Sequence, residues 1–291
     1  MASWKIPCCH GNFTTIQSAI DSIPSGNAKW IRIQIFAGVY REKVTITYDK
    51  TCIFLDGAGS RETFIEWDGH ESTNTSSTFT SYAKNLVVKG IGFKNDLVPA
   101  LSAEILGDKA ASYNCSFFGV QDTLWDVGGR HYFYQCYIQG GADFIFGNGQ
   151  SFYEQSVLYY SLETYGNGTY IGYITAQGRD SAEESSGFVF KDCVIHGRGI
   201  AYLGRAWKAF SRVVIANSKL SDIVVPVGWD AWQFVGHDTK VKAEIWKDCW
   251  LKGGGPEPSR CTSVEENIKS KGCHLRIKDS APASPAALME K

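Results

Sequence analysis

The stretch Tyr113-Asn114-Cys115-Ser116-Phe117, with Gln121-Asp122-Thr123-Leu124-Trp125 after it, is echoed by Phe133-Tyr134-Gln135-Cys136-Tyr137-Ile138 and Asp143-Phe144-Ile145-Phe146-Gly147. Each aspartate follows its cysteine by seven residues, and the two units lie 21 residues apart. Equal offsets over a fixed period mark equivalent positions in successive repeats. If each repeat is one coil of a stacked parallel β structure, neighbouring coils sit about 4.8 Å apart and the two carboxylates face each other across that gap. Their proton affinities then split, so that one can act as an acid while the other stays a charged base or nucleophile.

Outward from this stretch, one template recurs: apolar-x-apolar, one or two polar residues, a small residue, x, apolar. It is found at residues 152–158, 188–195, 214–220 and 243–251. The small residues Cys115, Cys136, Ser156, Cys193, Ser218 and Cys249 are spaced 21, 20, 37, 25 and 31 apart. A period of about 20 to 25 with loop insertions, made of short β runs without intervening helices, predicts a parallel β-helix rather than a leucine-rich horseshoe. A β-sandwich gives no reason for constant register. The recurring cysteines read as a stack of small buried thiols between coils. Nine cysteines leave at least one without an intrachain partner; none has CxxC spacing, and of Cys8, Cys9, Cys261 and Cys273 only the last two offer a disulfide.

The chain of 291 residues is 44% hydrophobic and 20% charged, enough for a sizeable core. Thirty glycines, 16 Phe, 14 Tyr and 9 Trp against two Met favour an all-β protein with many turns. A net charge of −1 gives no electrostatic reason to expect nucleic acid or an anionic membrane as partner. No stretch approaches the roughly 18 apolar residues of a membrane helix, and Met1 to His10 lacks the apolar run of a secretory signal. Residues 13–23 place apolar side chains at 16, 20 and 23 before Pro24-Ser25-Gly26, predicting a short capping helix, followed by strands at 31–35 and from 44. Gly253-Gly254-Gly255-Pro256-Glu257-Pro258 breaks the pattern, so residues 253–291 are expected to form an irregular, partly disordered tail. The domain reading is an atypical segment at 1–10, a solenoid at 11–252 and this tail. Glycosylation triplets occur at Asn12, Asn74, Asn114 and Asn167; Asn114 falls inside a predicted strand and is discounted.

Gln121 places a side-chain amide donor beside Asp122, and Trp125, Phe144 and Phe146 are expected to ring the carboxyl and raise its proton affinity. A single aspartate in a turn usually satisfies local backbone, but the matching register sets this pair apart. In Leu203-Gly204-Arg205-Ala206-Trp207, the Arg205 fork suits a carboxylate, with a surface ion pair as the bland alternative. Trp207, with Trp229 and Trp232 further on, offers flat apolar faces for sugar rings.

Together with Ile174-Thr175-Ala176-Gln177-Gly178-Arg179 and Gly38-Val39-Tyr40-Arg41-Glu42, these segments resemble, in order, the signature motifs of plant pectin methylesterases, or pectinesterases, over about residues 11 to 252. The resemblance implies a right-handed parallel β-helix acting without cofactor or metal. It implies Asp143 as nucleophile on the C6 methyl ester of a galacturonate, Asp122 as acid and then base, Gln121 as oxyanion donor, and Arg205 orienting Asp143. It further implies substrate contacts from Trp207, Arg205, Thr78, Trp125 and Phe146. Methyl-esterified homogalacturonan as substrate, a proteinaceous pectinesterase inhibitor as partner, a monomeric state and a cell-wall location also follow from it.

One position departs from the family pattern. Where the family carries a second oxyanion glutamine about 22 residues before Gln121, this chain has Pro99, which has no N–H to donate. Pro99 thus leaves open a pectin- or inhibitor-binding homologue with impaired catalysis, and the paired aspartates on a β-helix leave open a pectin-cleaving glycoside hydrolase, whose retaining form also uses two carboxyls roughly 5 Å apart.

Overall fold

The computed structural model describes residues 2–6, 12–69, 75–95, 97, 99–162 and 170–234, with 2–6 described as backbone only. The expectations for Cys8, Cys9, Cys249, Cys261, Cys273, Asn74, Asn167 and the tail from 253 lie outside these residues.

The chain is a right-handed parallel β-helix, as expected. Each coil visits three sheets in turn; one coil runs Ala110–Tyr113, Ser116–Phe118 and Leu124–Asp126, and the next Arg130–Tyr134, Tyr137–Gly140 and Ala142–Gly147. Among the described residues every pairing between coils is parallel, in one nine-stranded and two eight-stranded sheets. Ala2–Ile6, for which no strand was expected, pairs in parallel with Ile31–Ile35 and adds an edge strand to the first sheet.

The capping helix is shorter than the sequence pattern, Ile16–Asp21, with Thr15 as N-cap accepting from the Ser18 N–H. Its first turn is tied to the coils by Glu42, whose carboxylate accepts from the Ile16 and Gln17 N–H groups at 2.8 and 2.9 Å. A carboxylate at a helix N-terminus satisfies orphan donors and complements the dipole. The glutamate of the Gly38–Glu42 motif is therefore a fastening, distant in role from any chemistry.

The recurring template has a conformational cause. The residue before each small residue, at Asn114, Gln135, Gln155, Asp192 and Asn217, has φ between 46° and 55°. These are one-residue left-handed bends, which Asn, Asp and Gly adopt most readily, and they turn the chain from the first sheet into the second. Asn114 is thus an exposed bend between strands rather than a strand residue, because the small residue after it, not the asparagine, carries the inward register. Cys115, Cys136 and Cys193 follow their bends, buried to 1% exposure and unpaired, as the thiol stack required. Serine fills the same column at 156, where its hydroxyl accepts from the Cys136 N–H at 3.1 Å.

Stacked aromatic rings fill the interior: Phe93 on Phe117 at 5.4 Å, Phe133 on Tyr153 at 4.5 Å, and Tyr153 on Phe190 at 4.6 Å. Truncating one such ring to alanine typically costs about 3–5 kcal/mol.

A polar network is embedded in this core. His131 Nδ1 lies 2.6 Å from Asp126 Oδ1 and Nε2 lies 3.0 Å from the Gly107 carbonyl, while the Tyr153 hydroxyl donates to Asp126 Oδ2 at 2.7 Å. Both ring nitrogens face acceptors, which only the doubly protonated imidazolium satisfies. Burial works against that charge, but Asp126 and the carbonyl outweigh it and raise the His131 pKa. The stability this adds is complete below the unfolded value of about 6.5 and is lost as pH rises through the higher folded value. The melting temperature should therefore fall on that alkaline rise, and Asp126→Asn should bring the ring titration down. An NMR midpoint for His131 at or below the unfolded value would contradict the charged assignment.

Candidate active site

The third sheet carries the site, and its register explains how. Leu124, Ile145, Thr175 and Gly204 form one cross-strand row, and Trp125, Phe146, Ala176 and Arg205 form the neighbouring one. Alternation sends the first row inward and the second out onto the open face of the sheet. Leu203-Gly204-Arg205 needs its glycine, since a Cβ there would lie 2.1 Å from Thr175 Oγ1.

Asp122 and Asp143 stand where the chain enters this sheet. The Gln121–Ala142 bridge and the Leu124–Ile145 pair flank them and put them in register on adjacent coils, as the 21-residue spacing predicted. Both have left-handed backbones, φ 61° and 47°. At Asp143 the register with the next strand also slips: Ala142 pairs with Tyr173 and Ile145 with Thr175, so two residues oppose Ile174 alone. Such a bulge turns a side chain away from strict alternation. It also decides the fate of Phe144, which is fully buried and does not ring the Asp122 carboxyl. Trp125 and Phe146 do reach the open face, stacked at 5.3 Å, with Trp207 set edge-on to Phe146 at 5.9 Å; Leu101 and Ala176 complete this apolar wall.

Arg205 crosses the intervening strand to bind Asp143 with a forked contact. Its Nε donates to Oδ1 at 2.9 Å and to Oδ2 at 3.1 Å, and Nη2 donates to Oδ2 as well. Asp143 is only 8% exposed. Burial raises its pKa, and the Arg205 guanidinium pulls it only part of the way back. Asp122 has no such support. Burial, and then the Asp143 charge, push it up to about 7, against a smaller opposing pull from Arg205. The two carboxyls are thus differentiated: one ion-paired and aimed, the other holding its proton near neutrality. Among the described residues neither the Asp122 carboxyl nor the Gln121 side-chain amide has a hydrogen-bond partner, so both are uncommitted.

One expected contributor, Thr78, sits differently, and Arg179, for which no role was expected, turns out to be structural. Thr78 is completely buried and donates its hydroxyl to the Lys94 carbonyl at 3.0 Å, so its side chain does not reach the open face. Arg179, in the Ile174–Arg179 motif, is spent on the Glu184 carbonyl at 2.9 Å and the Phe210 carbonyl at 3.4 Å, clamping the loop after the strand. Trp232 does not offer a face to solvent alone but lies against Arg205, beside Tyr173 and Asp230, two residues that sequence reasoning missed. The Trp-Asp-Ala-Trp run at 229–232 was the available signal. No group of three His, Cys, Asp or Glu able to hold a metal occurs among the described residues, and no described helix is long and apolar enough to cross a membrane.

The parallel β-helix thus brings an acidic pair, an arginine and an aromatic wall together on one open sheet, a frame suited to a hydrolase. A family model described as Pectinesterase matches residues 8–276. Among curated relatives, "Probable pectinesterase 29" of Arabidopsis thaliana is 51% identical, covering 80% of this chain and 73% of its own; "Probable pectinesterase 55" of the same plant is 50% identical, covering 80% and 74%. Among solved structures, the pectin methylesterase from carrot superposes with a TM-score of 0.74 at 26% identity, covering 79% of this chain and 76% of that one. A pectin methylesterase in complex with a hexasaccharide does so with a TM-score of 0.70 at 25% identity, covering 79% and 80%. The chain belongs to the pectinesterase family, whose members are carboxylic ester hydrolases.

Proposed function

We propose that this protein hydrolyses the C6 methyl esters of homogalacturonan, with Asp143 as nucleophile and Asp122 as acid and base. The supporting observation is the forked Arg205 contact on Asp143 beside an uncommitted Asp122 that titrates near 7. An Asp143 oxygen adds to the ester carbonyl and the Gln121 amide donates to the oxyanion that forms. The tetrahedral adduct collapses to an acyl-enzyme anhydride as methoxide leaves with the Asp122 proton, forming methanol. Asp122, now a carboxylate, takes a proton from water; the hydroxide attacks the galacturonoyl carbonyl, Asp143 departs as carboxylate and the uronic acid is freed. Trp125, Phe146 and Trp207 give the sugar rings an apolar wall. This reading sets the place of action in the pectin of the cell wall.

The test is product type. Purified protein acting on highly methyl-esterified pectin should release methanol without new reducing ends; reducing ends without methanol would replace the esterase by a glycoside hydrolase.

One observation favours the binding homologue as second reading: Pro99, half-buried at the position where the family has a donor, cannot hydrogen-bond to an oxyanion. Removing one oxyanion donor costs roughly 100- to 1000-fold in turnover. Pro99→Gln should therefore raise kcat. An unchanged or lower kcat in a folded variant would mean that Gln121 suffices, whereas binding of methylated pectin by the wild type with no methanol would establish the second reading.

A further inference from the structure

Arg205 reaches Asp143 over an intervening strand, and a long side chain spanning that distance needs to be held. Its guanidinium carbon lies 4.4 Å from the centroid of the Tyr173 ring and 3.9 Å from that of Trp232. Both rings are governed by one residue. Asp230 Oδ2 accepts from the Tyr173 hydroxyl at 2.9 Å and Oδ1 accepts from the Trp232 backbone N–H at 2.8 Å. Asp230 is also the register partner of Arg205 on the next strand, so its position relative to the guanidinium is set by the ladder. Tyr173 is buttressed by Tyr202, stacked at 5.4 Å with 10° between the planes. Trp232 has φ 49°, a backbone conformation that a bulky aromatic residue adopts only where its surroundings over-determine it.

We propose that Asp230 is a positioning residue of this site: by holding the Tyr173 and Trp232 rings against the Arg205 guanidinium, it fixes the forked contact through which Arg205 keeps Asp143 anionic and aimed. The physical case has three parts. Aromatic faces attract the cation while excluding water, so the guanidinium has less solvent to exchange for the carboxylate. An arginine whose rotamer is already restricted loses less freedom on pairing. The Asp230 charge reinforces the positive state of Arg205, as does Asp143 itself. Among the described residues, the charged groups acting on Asp143 are Arg205 and Asp122, and Tyr173 and Asp230 act on Arg205 in turn.

This role rests on the esterase reading only where activity is measured, so the deciding readout is chosen to be independent of turnover. The Asp143 carboxyl carbon, assigned by its loss in Asp143→Asn, is titrated by carbon-13 NMR in wild type, Asp230→Ala, Asp230→Asn and Tyr173→Phe. Loosening the clamp weakens the ion pair, and a carboxylate that loses a cation titrates higher. The Asp143 midpoint should rise by about half a unit or more in Asp230→Ala. It should rise less in Tyr173→Phe, which keeps the ring, and in Asp230→Asn, whose amide oxygen still accepts. In methanol-release assays kcat should fall about tenfold with KM little changed, and the acidic limb should move upward with the NMR midpoint. Lower activity with an unmoved limb and midpoint would mark a merely structural role and overturn the assignment. Should Asp230→Ala fail to fold, Tyr173→Phe decides. A shifted midpoint in a protein that releases no methanol keeps the clamp and sinks the esterase; methanol release with an unmoved midpoint does the reverse.

Discussion

Asp143→Asn is expected to reduce methanol release by roughly 10⁴-fold or more, since loss of the proposed covalent nucleophile leaves only binding and oxyanion stabilisation. Asparagine has nearly the same shape and is among the residues that tolerate a left-handed backbone, so φ 47° is preserved. The charge lost is one that burial disfavours, and the Arg205 left behind retains the Tyr173 and Trp232 rings and the nearby Asp230 charge. The fold should therefore survive, with a melting temperature within a few degrees of wild type. Alanine at the same place would confuse chemistry with backbone strain. Near wild-type release by a folded Asp143→Asn protein would remove Asp143 as nucleophile.

The second large effect concerns Asp122→Asn. Removing a general acid and base costs about 10²- to 10⁴-fold, and the alkaline limb near pH 7 should disappear with it. Stability should change in the opposite sense. The Asp122 pKa is near 7 in the fold and about 3.9 unfolded, so between those values the native state holds a proton that the unfolded chain has released. Wild-type stability thus declines through that window, and above it the folded protein carries a half-buried charge with no hydrogen-bond partner among the described residues. Asp122→Asn removes this burden. At pH 8 the variant should melt above wild type, and near pH 4 the two should melt together. A variant less stable than wild type at pH 8 would mean that the Asp122 carboxylate has a partner in solution that supports it.

Much of this was legible in the chain. The period, the cysteine column and the opposed aspartates all come from one physical source, the identical step between stacked coils, which writes the same residue type at the same offset each time round. Arg205 was legible as a fork awaiting a carboxylate. What was not legible depends on local departures from the step. The bulge at Asp143 turned Phe144 inward, and alternation alone could not reveal it. Asn114 looked like a strand residue because a one-residue bend leaves no gap in an apolar pattern. Motif resemblance also could not separate structure from chemistry: Glu42 caps a helix and Arg179 clamps a loop, although both belong to signature segments. Thr78 lay in the expected place but with its hydroxyl already spent. The clamp around Arg205 was hidden because Tyr173 and Asp230 are 57 residues apart and meet only through the register of three strands.

The spacing of the ion pair along the stack has a consequence for how the protein loses function. Asp143 and Arg205 are not on neighbouring strands; Ile171–Gln177 lies between them, and among the described residues Trp229–Asp230 is the strand that follows Arg205 in the third sheet. Stacked repeats unravel from their ends, each held only by its neighbours. Opening of Ile200–Ala206 would release Arg205 while the coils that carry Asp122 and Asp143 stay folded. The arginine therefore makes the site depend on a coil beyond the two that carry the carboxyls, and heating should silence methanol release before most of the β structure melts.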